Sequence, residues 1–331
     1  MLAAGVDIGG TKCAVCLGTV SADTVQILHK CTPRKTADYT PKEMLDALSS
    51  DLLSCQNFLP EKERVQGIGI SCGGPLNSRT GTILSPPNLP GWDAVAVTHY
   101  FEAKTGWKAA LCNDANACAL AEWQYGAGKG CSNLIYMTFG TGLGAGLILD
   151  GRLYTGASDM AGELGHIRLA DYGPVGYGKM GSFEGFCSGG GIAQLAKSVL
   201  MQELQAGKKP TLCPSFADLE TITAEKIGLA AQSGDLLAQD LLKQVGIQLG
   251  KGLSILIDLL NPEKIIIGSI FARCYDQIWP WAQTVIRQET LVPSRTSCQV
   301  VPAMLSESVG DIAALAVAWF SREKTNMEMK Q

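Results

Sequence analysis

Apolar and polar positions along this chain fall into short blocks that reverse direction at glycines. Residues 4–8 form a compact apolar run, Gly9-Gly10-Thr11 a tight turn and 12–19 a second run, which predicts a strand, a reversal and a returning strand. Residues 25–30 predict a third strand. Thr40-Pro41-Lys42-Glu43 then opens a helix: Thr40 can cap it, Pro41 suits the first helical position and Glu43 completes a capping box. Met44, Leu45, Leu48, Leu52 and Leu53 follow as its apolar stripe. A buried strand is expected at 65–71, and after it a loop over 72–92 rich in Gly, Pro and Asn. Loops of that length inside a compact domain are more often functional than idle. Residues 108–112 predict another strand, and Asn113-Asp114 caps an Ala-rich helix that stops at Gly126.

The second half restarts the pattern. Residues 133–139 read as a strand, Gly140-Thr141-Gly142 as a glycine turn and 144–150 as the strand back, about 130 residues after the first such unit. One strand–turn–strand unit per half predicts two related domains with a cleft between them, and the alternation of strands and helices predicts an α/β fold. The expected domains are 1–112, completed by the C-terminal helix at about 309–331, and a larger one at 113–308. Within the latter, 236–260 predicts a long helix and 264–268 an Ile-rich strand. An apolar helix at 309–320 closes the chain, and the charged tail after Arg322 is expected to fray.

Composition narrows the class of function. The chain has 331 residues, 46% apolar and 18% charged, which excludes disorder and supplies ample core. With 27 Lys+Arg against 31 Asp+Glu and no basic block, no surface dedicated to nucleic acid or anionic membrane is expected. A charge appears at Asp7, too early for a signal peptide, and the greasiest stretch, 134–149, is broken by glycines and threonines. The expectation is a soluble, cytoplasmic protein whose 12 dispersed cysteines are reduced. Cys13 and Cys16 form a C-x-x-C, but on a strand they point to opposite faces, which argues against a shared metal or a redox pair.

Candidate chemistry gathers at the glycine turns, whose backbone N–H groups are open to phosphate oxygens. The first, Asp7-Ile8-Gly9-Gly10-Thr11-Lys12, adds a carboxylate able to hold hydrated Mg²⁺, a hydroxyl and a cation. The second, Gly140-Thr141-Gly142-Leu143-Gly144, adds another hydroxyl. Either alone reads as an ordinary hairpin; two at matching places favour phosphate binding. Neither is a P-loop or a Rossmann fingerprint. Asn113-Asp114 is either a plain helix cap or a general base opposite the turns. Glu163, His166 and Glu184 share a glycine-rich region, and such a convergence of polar groups suits a polyhydroxylated ligand.

Several segments in register resemble the ROK family of bacterial sugar kinases: GVDIGGTK at 5–12, SPPNLPGW at 85–92, NDANACALAE at 113–122, FGTGLGAGLILDGRLYTG at 139–156, AGELGHI at 161–167 and YGKMGSFE at 177–184. The resemblance implies a two-domain actin-like ATPase (ribonuclease H-like) fold and ATP-dependent phosphorylation of a hexose, normally at the 6-hydroxyl. It makes Asp114 the catalytic base and Asn88, Asn113, Glu163, His166 and Glu184 the sugar ligands. Gly9, Gly10, Thr11, Lys12, Thr141 and Gly142 would surround the ATP phosphates, with Mg²⁺ near Asp7 and Gly268 near the adenosine. Partners would be a small-molecule sugar and ATP, with no nucleic acid and no membrane, in a homodimer or homotetramer.

Two departures stand out. The family usually carries three cysteines that bind a structural zinc with the motif histidine; here those positions are Val175, Tyr177 and Ser182, so no zinc is expected. The Gly-Gly common near the adenosine reads Gly268-Ser269. Members of the family also act as sugar-responsive repressors with an N-terminal helix-turn-helix domain. The first turn begins here at Asp7, so no such domain is expected. A catalytically idle sugar-binding member is the remaining alternative.

Overall fold

The computed structural model describes residues 1–328. The chain divides into two compact units: residues 1–130, 146–161 and 304–331 in the first, 131–145 and 162–303 in the second. The expected break at 112–113 falls inside the first unit, where a strand runs straight into the helix that Asn113 caps.

The first unit is built on a mixed sheet. Its main strands are β1 (Leu2–Ile8), β2 (Lys12–Val20), β3 (Val25–Lys30), β4 (Ile68–Cys72) and β5 (Ala109–Asn113), in the spatial order β3-β2-β1-β4-β5, and a sixth, two-residue strand, Arg34–Lys35, pairs with β2. β1 and β2 pair antiparallel across the first glycine turn, with Ile8 opposite Cys13, whereas β1, β4 and β5 run parallel. Helix α1 (Pro41–Cys55) begins at the expected capping box, with the Thr40 side chain accepting from Glu43 N–H and the Glu43 carboxylate accepting from Thr40 N–H. Met44, Leu45, Leu48 and Leu52 of α1 are buried against the sheet. Leu53, expected in that stripe, is 47% exposed. One residue past Leu52 turns the side chain by about 100°, off the buried face. The loop at 72–92 contains a small hairpin, Leu76–Asn77 with Thr82–Ile83, and is followed by α2 (Val97–Thr105), which the sequence pattern did not reveal. α3 (Asp114–Tyr125) stops at Gly126 as expected.

The opposite face of this sheet carries the closing helix, Val309–Glu328, which continues past Arg322 rather than fraying there; residues 329–331 lie outside the described residues. The Arg322 guanidinium donates to Gln66 Oε1 at 2.6 Å, which anchors this last part of the helix. The helix lies close on the strands because small residues meet it. A Cβ on Gly69 would lie 1.9 Å from the carbonyl oxygen of Ala314 and 2.6 Å from the amide nitrogen of Ala318. Trp123 of α3 stacks on Phe320 of the same helix with ring centroids 5.5 Å apart. The fully buried Glu122 joins these segments, one oxygen accepting from Leu305 N–H at 2.7 Å and the other from Ala127 N–H at 2.8 Å. An antiparallel hairpin, Ala145–Leu149 with Arg152–Tyr154, belongs to the same unit from Gly146 onward.

The C-x-x-C thiols are both buried and diverge as expected: Cys13 lies by Thr36 Oγ1, Cys16 by the Asp311 carbonyl. Burial pushes both thiols up, which keeps them unreactive.

The second unit centres on three parallel strands: β6 (Leu134–Met137), β7 (Lys264–Ile267) and β8 (Gln299–Pro302), with β7 in the middle. Around them pack α4 (Gly189–Gln205), α5 (Leu236–Leu260) and α6 (Tyr275–Glu289). α5 matches the expected long helix; α6 was hidden in the sequence because Pro280 lies inside it. Among the described residues no helix is long and apolar enough to cross a membrane.

Candidate functional site

In the first unit the parallel strands bring three loops to one edge of the sheet. Asp7 pairs with Ser71, and Ser71 with Cys112, so β1, β4 and β5 end level with one another. The carboxyl ends of parallel strands are where open α/β sheets bind ligands. From these ends emerge the Gly9–Lys12 turn, Gly73-Gly74 and the start of α3.

The turn is closed by Gly9 N–H donating to the Lys12 carbonyl at 3.1 Å. Thr36 Oγ1 donates to the Gly9 carbonyl at 2.6 Å. Gly10 lies directly on Asn88: a Cβ there would be 2.7 Å from the Asn88 carbonyl oxygen. Two of the expected site segments, far apart in sequence, are thus in contact. Thr11 and Lys12 are exposed at the tip.

Asn113 is a true helix cap, its Oδ1 accepting from Ala115 N–H at 3.0 Å and Asn116 N–H at 3.3 Å. Asp114 Oδ1 accepts from Ala115 N–H at 2.8 Å, and Oδ2 faces Gly73. The Asp114 carboxylate is open to solvent, yet the protein dense around it raises its proton affinity, against the backbone N–H bonds that favour the charged form. The cap and base readings of this dipeptide therefore divide between its two residues.

Asp7 lies close by. Burial first, then the Asp114 and Asp311 carboxylates, push its carboxyl up to about 6, opposed by Lys12. Asp311 itself pairs with Lys30 at 2.5 Å. Because the folded chain holds the Asp7 proton more tightly than the unfolded chain, this group costs stability as pH rises from about 3.8 to about 6. Asp7→Asn is expected to stabilise the protein by about 1–3 kcal/mol at pH 7 and to lose that advantage below about pH 4. Urea titrations at the two pH values measure this; equal stability of variant and wild type at pH 7 would contradict it. The same excess of negative charge suits Asp7 to a cation such as magnesium.

The second unit assembles the remaining residues. In the second glycine turn, Gly140 N–H donates to Gly142 O at 3.1 Å and Gly144 N–H to Thr138 Oγ1 at 2.9 Å. Glu184 Oε2 accepts from Leu143 N–H at 3.0 Å and would lie 2.8 Å from a Cβ on Gly142. Gly165, between Glu163 and His166 on a short 3₁₀ turn, packs against Glu184 in the same way. The turn, the Glu163–His166 segment and Glu184 therefore form one cluster. Gly268 and Ser269 follow β7 and reach the same turn. Gly268 N–H donates to Met137 O at 3.0 Å, and Ser269 Oγ lies 3.5 Å from where a Cβ on Gly140 would be.

Sequence reasoning missed Gly73-Gly74 and Asp311, whereas Ser269 was singled out only as a departure from the usual Gly-Gly. The first had a readable signal, two glycines directly after a buried strand. Asp311 had none, because it sits in an otherwise apolar helix.

The zinc that the family resemblance implies does not fit this chain. Val175 and Tyr177 offer no thiolate or imidazole, and Ser182 Oγ is fully buried, accepting from Gly185 N–H at 3.1 Å. The nearest thiol in sequence, Cys187, is buried against the Val245 carbonyl. Among the described residues no group of three or more His, Cys, Asp or Glu is placed to hold a metal ion.

Comparison with known proteins places this geometry. Residues 3–319 match the model of the ROK family. The Glucokinase of Thermotoga maritima is 30% identical over 316 residues, 95% of this chain and 96% of its own length. The Glucokinase of Streptomyces coelicolor is 32% identical over 274 residues, 81% of each chain. The DNA-binding transcriptional repressor Mlc of Escherichia coli is 30% identical over 230 residues, 69% of this chain and 54% of its own. Among solved structures, the ROK hexokinase of Thermus thermophilus superposes with a TM-score of 0.81 at 26% identity, covering 98% of this chain and 100% of that one. A ROK family glucokinase from Streptomyces griseus, in complex with glucose and AMPPNP, gives 0.76 at 29% identity over 96% and 99% of the two chains. The fold is accordingly the actin-like ATPase fold, and with a family model spanning nearly its whole length, this chain belongs to the ROK family.

Proposed function

We propose that this protein is an ATP-dependent sugar kinase that transfers the γ-phosphate of ATP to a hexose hydroxyl, the 6-hydroxyl of glucose or a close relative. The observation that carries this reading is Asp114. Its carboxylate is solvent-accessible, stands at the carboxyl end of parallel strands beside the Gly9–Lys12 turn, and has its proton affinity raised. Phosphoryl transfer asks a protein for positioning, charge neutralisation and a group to take the nucleophile's proton. Asp114 takes that proton, and the bond from Ala115 N–H holds its carboxylate in one orientation.

The other residues divide the remaining work. Gly9, Gly10, Thr11 and Lys12, with Thr141 and Gly142, cradle the phosphates through backbone N–H groups, hydroxyls and one ammonium. Gly268 borders the adenosine. Asp7 meets the hydrated magnesium that accompanies ATP, whose charge offsets the carboxylates around it. Asn88, Asn113, Glu163, His166 and Glu184 bind the sugar hydroxyls. Support comes from the glucokinase relatives and from the glucose and AMPPNP complex of the Streptomyces griseus enzyme.

The similarity to Mlc keeps a second reading in view, a sugar-binding regulator without turnover. A coupled ADP-release assay with magnesium-ATP separates the two across glucose, mannose, fructose, allose and N-acetylated hexosamines. Sugar-dependent ADP release with at least one of them supports the kinase. Tight sugar binding with no release from any of them supports the regulator.

A further inference from the structure

The hairpin Val175–Gly176 with Lys179–Met180 occupies the place where zinc ligation would be expected, and its contacts converge on His166 and Glu184. Lys179 Nζ donates to the His166 carbonyl oxygen at 2.7 Å. The Tyr177 ring meets the His166 imidazole edge-on, with centroids 5.0 Å apart and planes at 76°. Gly176 lies against Glu184, where a Cβ would be 2.8 Å from Glu184 Cβ.

The hairpin is itself tied down on both sides. Gln194 of α4 brackets Val175, its Oε1 accepting from Val175 N–H at 3.1 Å and its Nε2 donating to Val175 O at 2.9 Å. Arg168 Nη1 donates to Met180 O at 2.7 Å, and both Leu169 and Ala170 N–H donate to Gly181 O.

Tyr177 is an unusual choice for its position. It and Gly178 form a two-residue turn with φ of +44° and +75°, the left-handed geometry that favours Asn-Gly. A bulky residue there is strained, and Tyr177 remains 62% exposed, so burial does not explain it. Its contact with His166 does.

We infer that Tyr177 and Lys179 are positioning residues that hold His166 in place of a metal, Lys179 fixing its backbone and Tyr177 its imidazole. That His166 then serves a sugar rests on the proposed function; that the clamp holds it does not. In a metal site the imidazole is oriented by its bond to the ion and by a partner on the second nitrogen. Here orientation comes from an aromatic edge and a charge-assisted hydrogen bond to the peptide behind it.

The test uses the full chain, Tyr177→Asn, Lys179→Ala and Lys179→Arg. Tyr177→Asn removes the ring while giving the turn its preferred residue, so the hairpin itself is retained. The chain has three histidines, which makes the His166 imidazole resolvable by NMR and assignable with His166→Ala. Tyr177→Asn and Lys179→Ala are expected to move the His166 signals and to weaken sugar binding by about tenfold, with ATP affinity within about twofold. Lys179→Arg is expected to restore most of the loss, and chelator to leave the thermal midpoint unchanged. His166 signals that stay put in both Tyr177→Asn and Lys179→Ala overturn the clamp. So does about one zinc per chain in the purified protein, lost on chelation together with the thermal midpoint. If wild type binds no sugar at all, the proposed function fails, and the His166 signals still decide the clamp.

Discussion

Replacing Asp114 by Asn is expected to lower sugar-dependent turnover by about 10³-fold while sugar affinity stays within about tenfold of wild type. Asn keeps the shape and can still accept from Ala115 N–H, as Oδ1 does at 2.8 Å. What it lacks is a lone pair basic enough to receive the hydroxyl proton. An effect confined to turnover marks a group used only as the proton moves. Steady-state ADP release and isothermal titration with sugar, run on the same preparation, read the two quantities separately. A variant retaining a tenth or more of wild-type turnover would falsify the assignment. Equal losses in binding and turnover would instead make Asp114 a sugar ligand.

The second large effect is on stability. Gly69→Val is expected to cost about 3–5 kcal/mol and to lower the thermal midpoint by roughly 10 °C. Its first side-chain carbon alone would lie 1.9 Å from Ala314 O and 2.6 Å from Ala318 N, atoms of a helix backbone that cannot rotate away. The closing helix would have to lift from the sheet, taking its contacts on several strands with it. Gly67→Ala is the control. The nearest atom to a Cβ there is the flexible end of Met1, at 3.5 Å, and its cost should stay within about 1 kcal/mol. Calorimetry showing the two variants alike would mean that the helix shifts freely over β4.

How much of this was readable beforehand depended on whether the governing contact was local. Thr40, Pro41 and Glu43 announce α1 because a capping box is closed within four residues. Asn113-Asp114 marks a strand–helix junction for the same reason, and the two glycine turns are visible as breaks between apolar runs. The contact of Gly10 with Asn88 is different: 78 positions separate the two, and only the family motifs hinted that both segments belonged together. The raised Asp7 carboxyl owes part of its shift to Asp311, more than 300 residues away. Lys179 on His166 is a third such case, since a lysine in a polar loop reads as solvated until its acceptor is known. Helix α6 was lost for another reason. Pro280 argues against a helix wherever the remaining residues cannot be seen to bury a common face, as Ile278, Ala282, Val285 and Ile286 do.

The closing helix has a consequence during translation. It covers one face of the first unit's sheet, yet it begins at Val309, about 180 residues after the first long segment of that unit ends at Gly130. At roughly 5–20 residues per second, a ribosome needs roughly 10–40 s to bridge that interval. Throughout it, the face bearing Gly5, Gly18 and Gly69 waits without Ala314, Leu315 and Ala318, which will cover it. Most of the second unit, by contrast, emerges as one uninterrupted stretch, 162–303. The nascent chain can therefore complete its second unit before its first, and a stalled ribosome anywhere between residues 130 and 309 would leave the Asp7 and Asp114 end of the protein without its last structural layer.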